Sequence, residues 1–212
     1  MYPMPEFQER DIDAILGFVR KYPLGMIAGV GESGQVEATH VPLLLSRDGS
    51  EIRLRGHVMR KTPHWSGYKS NSEVLVAFTG PDAPILESWN EKLPFGGTWN
   101  YMAVHMRGRL TFLPEEELLG ILRDLKDLYE VEPSAKFEHL PADYLARLVP
   151  AIEGFEIRVE GLEAVFKLSQ NRSERDFDQT LEQLRLRGGE SALVADEMES
   201  RRSLFFPGSA VL

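Results

Sequence analysis

The chain has 212 residues, 42% of them hydrophobic and 27% charged, which supplies a core and matches an ordinary globular composition. Cysteine is absent, which excludes disulfides, thiolate metal sites and cysteine nucleophiles and fits a reducing compartment. A formal net charge of −9 argues against general affinity for nucleic acid. No run approaches the roughly 20 apolar residues of a membrane span, and MYPMPEFQERD lacks the pattern of a secretory signal, so a cytoplasmic protein is expected.

Asp11 is placed to cap a helix with an apolar face of Ile12, Ile15, Leu16, Val19 and Tyr22, closed by Pro23. LGMIAGV and VEATHVPLLL flank the turn-rich GESGQ and predict a hairpin. After SRDGS, the run EIRLRGHVM alternates, with Ile52, Leu54 and Val58 on one face and Arg53, Arg55 and His57 on the other. EVLVAFTG predicts a buried strand, and Pro81 to Gly97 a long loop. Gly97 to Leu113 reads as one strand. Met102, Val104, Met106, Leu110 and Phe112 share a core face with Gly108, while Trp99, Tyr101, His105, Arg107 and Arg109 lie opposite.

Pro114 and three glutamates suit the start of a helix with a stripe of Leu118, Leu122, Leu125 and Tyr129. A second helix covers about Ala142 to Val149. EGFEIRVEGLEAVFKLS alternates with a phase change at Gly161. Phe155, Ile157 and Val159 are apolar before it and Leu162, Ala164, Phe166 and Leu168 after it, as at a β-bulge. Ser173 and Asp176 resemble a capping box before a helix carrying Phe177, Leu181 and Leu184, ended by Gly188 and Gly189. Beyond it a weak helix and a hydrophobic end are expected. About six strands, neighbouring in sequence, with helices gathered at the ends, predict an α+β fold on a mainly antiparallel sheet or barrel.

Two stretches carry candidate chemistry. GHVMRKTPHW puts His57 near a strand end, then Arg60 and Lys61, then Thr62 and Pro63 at a helix start; cations beside free helical N–H groups suit a phosphate. The structural alternative is a basic loop with a well-capped helix. In KLSQNRSERD, Lys167, Ser169, Gln170, Asn171 and Arg172 crowd the approach to another helix, where they suit an anion or the polar edge of a heteroaromatic ring, or simply a hydrogen-bonded turn. Trp65, Trp89, Trp99 and Tyr101 can stack on a planar ligand or line a subunit interface. His40, His57 and His105 on strands would allow a metal or haem site if those strands are neighbours, but no metal-ligand spacing is present and no metal site is expected. No catalytic residue is assigned, since no nucleophile motif occurs.

MYPMPEF, ATHVPLLL, GHVMRKTPHW, FTGPDAPI, TWNYMAVHMRG and KLSQNR occur in the order seen in the PaiB-type proteins, also called FMN-binding negative transcriptional regulators. The chain resembles that family from residue 2 to about residue 187. It departs in the 84–98 loop, where ILESWN and GGTWNY replace patterns like ISPSWY and VPTWNY, which bears on contacts from Leu86, Glu87, Asn90 and Gly97. The resemblance implies a split β-barrel domain over residues 1–187, of the flavin-reductase and pyridoxamine-phosphate-oxidase-like type. Residues 188–212 then form a tail packed on the same domain or on a dimer partner. It further implies a homodimer with FMN sites between subunits, the face of Trp99, Tyr101, His105 and Arg107 being covered by the second copy, and a role in transcriptional repression or flavin sensing.

The residues implied to hold FMN are Arg60, Lys61 and Thr62 on the phosphate with His57 nearby, and Trp65 and Trp99 as apolar walls. Asn100 and Tyr101 come from the TWNY motif, and Lys167, Ser169, Gln170 and Asn171 serve the phosphate or ring edge. A flavin-dependent oxidoreductase, a haem-binding split barrel and a barrel without cofactor are the alternatives. DNA is a partner by the family label only, because no helix-turn-helix with a basic second helix is evident, and no membrane partner is expected.

Overall fold

The computed structural model describes residues 1–2, 4–89 and 96–208; Asn90 and residues 209–212 at the hydrophobic end lie outside them. Asp11 caps the first helix, α1 (Ile12–Lys21), its Oδ1 accepting from the N–H groups of Asp13 and Ala14. β1 (Leu24–Val30) and β2 (Val36–Pro42) form the expected hairpin, in register from Leu24 opposite Pro42 to Val30 opposite Val36. The expectation of one strand through VEATHVPLLL is corrected. The segment breaks after Pro42, and β3 (Leu44–Asp48) pairs instead with β4 (Glu51–Met59). Leu43 at the break is 2% exposed, so its burial pins the switch of partner.

α2 (Pro63–Ser70) follows its Thr62 cap, and β5 runs from Glu73 to Ile85. The long loop expected from Pro81 is therefore shorter. Pro81, Ala83 and Ile85 are buried while Asp82 faces out, an alternation that the prolines disguise because proline is depleted in strands. β6 (Thr98–Phe112) has the two faces read from the sequence: Met102, Val104, Met106 and Leu110 are at most 2% exposed, whereas Trp99 is 49% exposed. In α3 (Glu115–Tyr129) the buried stripe is Leu118, Ile121 and Leu125. Tyr129, expected in that stripe, is exposed, because it is the last helical residue before the chain turns extended at Glu130.

α4 (Ala142–Leu148) leads into β7 (Ile152–Lys167), whose buried positions are odd-numbered at Phe155 and Ile157 and even-numbered at Ala164 and Phe166 beyond Gly161. α5 (Glu174–Arg187) begins with the capping interaction of Ser173 and Asp176 and stops at Gly188 and Gly189, both at positive φ. The segment expected as a weak tail helix forms α6 (Glu190–Ser200) and the short α7 (Arg202–Phe205). Val194, Ala195 and Met198 of α6 are fully buried, so packing compensates for its modest sequence signal.

The sheet has seven strands in the order β2-β1-β5-β6-β7-β4-β3, and the β1–β2, β1–β5, β3–β4 and β4–β7 ladders are antiparallel. The chain divides into two units. The first comprises Met1–Ile15, Thr79–Val104 and Glu163–Leu212, and the second Leu16–Phe78 and His105–Leu162. The divisions fall within α1, β5, β6 and β7. The first unit is cored by Met102, Phe166, Leu168, Phe177 and Met198, and the second by Ile27, Leu54, Val76, Met106 and Phe155.

Candidate functional site

In the second unit, the GHVMRKTPHW stretch carries the end of β4 into α2 through a strained turn. Thr62 is extended, its Oγ1 accepts from Trp65 N–H at 3.4 Å, and Pro63 opens the helix. Lys61 sits at φ 62°. Side chains with a Cβ disfavour that region, and such strain collects at ligand sites. Arg60 donates from Nε to the Ile152 carbonyl at 2.7 Å, and its Nη1 lies 3.3 Å from Glu153 Oε2. Trp65 donates its indole N–H to the same oxygen at 2.5 Å, and Lys69 Nζ reaches it at 3.3 Å. Lys69 also stands 4.5 Å from the Trp65 ring centroid.

Glu153, 9% exposed, is thus the hub of this cluster, and neither it nor Lys69 was found from the sequence. A signal existed: Glu153 lies in phase with buried Phe155 and Ile157, a position where an unpaired carboxylate would be costly. Two cations, Arg60 and Lys69, meet one carboxylate, and the exposed Lys61, next to Arg60 in sequence, has no acidic partner among the described residues. That excess suits a phosphate, which carries about −1.5 to −2 at neutral pH. Arg60 still has its Nη2 end for a ligand. His57 does not join this cluster. It borders a separate hollow under α3 and α4, and burial pushes its pKa below the usual histidine range.

In the first unit, Asn100 and Ser169 are brought together but turned inward. Asn100 Nδ2 donates to Ser169 Oγ at 2.9 Å, and Ser169 Oγ donates back to Asn100 Oδ1 at 3.2 Å, with Met198 Sδ 3.5 Å from the same amide. Asn100 is fully buried and Ser169 is 4% exposed. Gln170 is a strut for the backbone: Nε2 donates to the carbonyls of Glu6 (3.0 Å) and Phe166 (2.6 Å), and Oε1 accepts from Leu168 N–H (2.7 Å). These three side chains hold the turn that places Ser169 at φ 63°. Lys61 and Ser169 are the two non-glycine residues at positive φ among the described residues, one in each predicted stretch.

Other groups around this turn are better placed to meet a ligand. Asn171 is exposed, and the Lys167 ammonium donates to Thr98 Oγ1 over the rings of Tyr2 and Phe7. Burial, then the nearby Arg172 charge, lowers the Lys167 pKa. Trp99 donates to Asp82 Oδ1 at 2.7 Å and leaves its ring face open beside a hollow of ≈ 260 Å³ shared with Thr79, Tyr101 and Met102. Burial raises the Tyr101 pKa, so its hydroxyl stays protonated and able to donate.

A protein family described as "Putative FMN-binding domain" matches residues 1–161. The "Protease synthase and sporulation protein PAI 2" of Bacillus subtilis is 35% identical over 188 residues, covering 87% of this chain and 89% of that protein. Among solved structures, the FAD and haem binding protein from Mycobacterium smegmatis superposes with a TM-score of 0.55 at 15% identity, over 76% of this chain and 73% of that one. The flavocytochrome Anf3 from Azotobacter vinelandii gives 0.51 at 12% identity, over 81% and 75%. These likenesses fit the α+β fold reached from the strand pattern and the split barrel implied by the family resemblance. The chain belongs to the PaiB family of FMN-binding domains.

Proposed function

We propose that this chain is a cytoplasmic, homodimeric flavin-binding protein that works as a negative transcriptional regulator or a flavin sensor. The observation that carries the flavin site is the meeting of Arg60, Lys69 and the Trp65 indole at the buried Glu153 beside α2, with the exposed Lys61 next to Arg60 in sequence. In this reading Lys61 and the free end of Arg60 hold the phosphate, Thr62 fixes the helix end that faces it, and Trp65 supplies an apolar wall. In the first unit, taken by itself, Trp99, Tyr101, Lys167 and Asn171 offer a stacking face and donors of the kind that suit a planar heteroaromatic ring. Asn100, Ser169 and Gln170 act by positioning that turn. His57 lies in the neighbouring strand without a phosphate role of its own.

FMN, when bound, supplies redox chemistry through its ring; the protein contributes binding, orientation and a charged surround. Titration of FMN into wild type, Lys61→Ala and Arg60→Ala, followed by flavin fluorescence, tests the phosphate assignment. Each variant should bind more weakly by about 1.5–3 kcal/mol, the scale of a charge-assisted hydrogen bond. Equal affinities for all three proteins would remove the assignment.

A further inference from the structure

Under α3 and α4 the second unit carries an open hollow of ≈ 300 Å³, at the lower end of the range for small-molecule pockets. Its walls are apolar, with Leu122, Leu125, Phe137 and Leu148 prominent, and no acidic side chain lines it. Three residues with polar groups border it, His57 from β4, Lys126 from the last turn of α3 and Tyr144 from α4.

His57 Nδ1 is sealed from solvent and has no hydrogen-bond partner. An orphaned N–H is rarer than an orphaned acceptor, which favours the tautomer with the proton on Nε2 and leaves the ring a donor. Lys126 has no acidic partner among the described residues. The neighbouring cations are engaged elsewhere: Lys136 donates to the carbonyls of Asp127 and Glu130, and Arg123 lies over the Phe137 ring.

We infer that this hollow binds a small amphipathic carboxylate, its apolar body among the leucines and its carboxylate met by His57 and Lys126. One ammonium with neutral donors matches a monoanion, whereas a dianionic phosphate finds more positive charge around α2. The inference stands apart from the flavin reading and uses none of the groups proposed to hold FMN.

Calorimetric titration of the full chain with octanoate, with octanol as the neutral analogue, tests it. Octanoate should bind saturably and more tightly than octanol, and prior saturation with FMN should leave its affinity unchanged. Lys126→Met, which keeps the apolar stem, should weaken octanoate about tenfold or more with octanol unaffected. Leu145→Trp, or Leu140→Phe where the first does not fold, should fill the hollow and abolish binding of both while circular dichroism stays native. Absence of saturable octanoate binding, persistence of it in the filled variant, indifference to Lys126→Met, or displacement by FMN would each overturn the assignment.

Discussion

A carboxylate that accepts from an indole N–H and sits 3.3 Å from two cations holds those cations in place and also competes for them. Glu153→Gln keeps an acceptor for Trp65 but frees Arg60 and Lys69. FMN should therefore bind the variant more tightly, by about 1 kcal/mol or more, while thermal stability falls because two cations lose their counter-charge. Weaker flavin binding by Glu153→Gln would place the phosphate elsewhere. Gln170 separates positioning from contact in the same way. Its amide serves three backbone groups, so Gln170→Ala should cost about 1–3 kcal/mol in chemical denaturation. His57 adds a pH dependence. Its folded pKa is lowered by burial, so the unfolded chain binds its proton first as pH falls. The stability tied to a neutral His57 is complete above the unfolded value of about 6.5 and is lost as pH falls from there toward the lowered folded value. His64, also lowered mainly by burial, acts in the same direction. The urea midpoint should drop between pH 7 and pH 5.5, and His57→Gln should flatten part of that drop; an unchanged slope would show that His57 does not titrate with unfolding.

At the scale of elements, the sequence was most legible where one period and one cap decide the outcome. α1, α2 and α5 start at the side-chain caps read from Asp11, Thr62 and Ser173, and β6 shows its two faces by strict alternation. Legibility failed where a tertiary partner decided instead. The β2–β3 break depends on which strand each half pairs with, and nothing local except Pro42 marks it. The far half of β5 hides its alternation behind two prolines. α6 is held by burial of Val194, Ala195 and Met198 rather than by propensity. Met198→Ala should accordingly cost about 2–5 kcal/mol of stability in thermal or denaturant unfolding, beyond the range of an exposed tail. In the second unit Gly108 marks a close approach, since a Cβ there would lie 2.2 Å from the Arg158 carbonyl oxygen. Gly108→Ala must push β6 and β7 apart, and a loss of about 1–3 kcal/mol is expected. For the candidate site, residue types were legible and availability was not: Arg60 and Trp65 meet Glu153, with the exposed Lys61 beside Arg60 in sequence, whereas Asn100, Ser169 and Gln170 bond inward.

For the whole molecule, the family supports a flavin protein, while the charge of −9 makes broad DNA affinity a poor fit to a repressor reading. A regulator of this composition would read DNA, if at all, through a local surface or another protein. No helix among the described residues is long and apolar enough to cross a membrane. The exposed Trp99 ring, on the face of β6 away from the core, fits coverage by a second copy, and sedimentation should give a homodimer whose dissociation is promoted by Trp99→Glu. The central claim is that cations around Glu153 hold the phosphate of a flavin. It is tested most directly by the visible spectrum and FMN titration of freshly purified wild type beside Lys61→Ala. The account predicts flavin absorption that saturates at equimolar FMN in the wild type and is sharply weakened in the variant; a wild type that never saturates, or a variant that binds equally well, would contradict it.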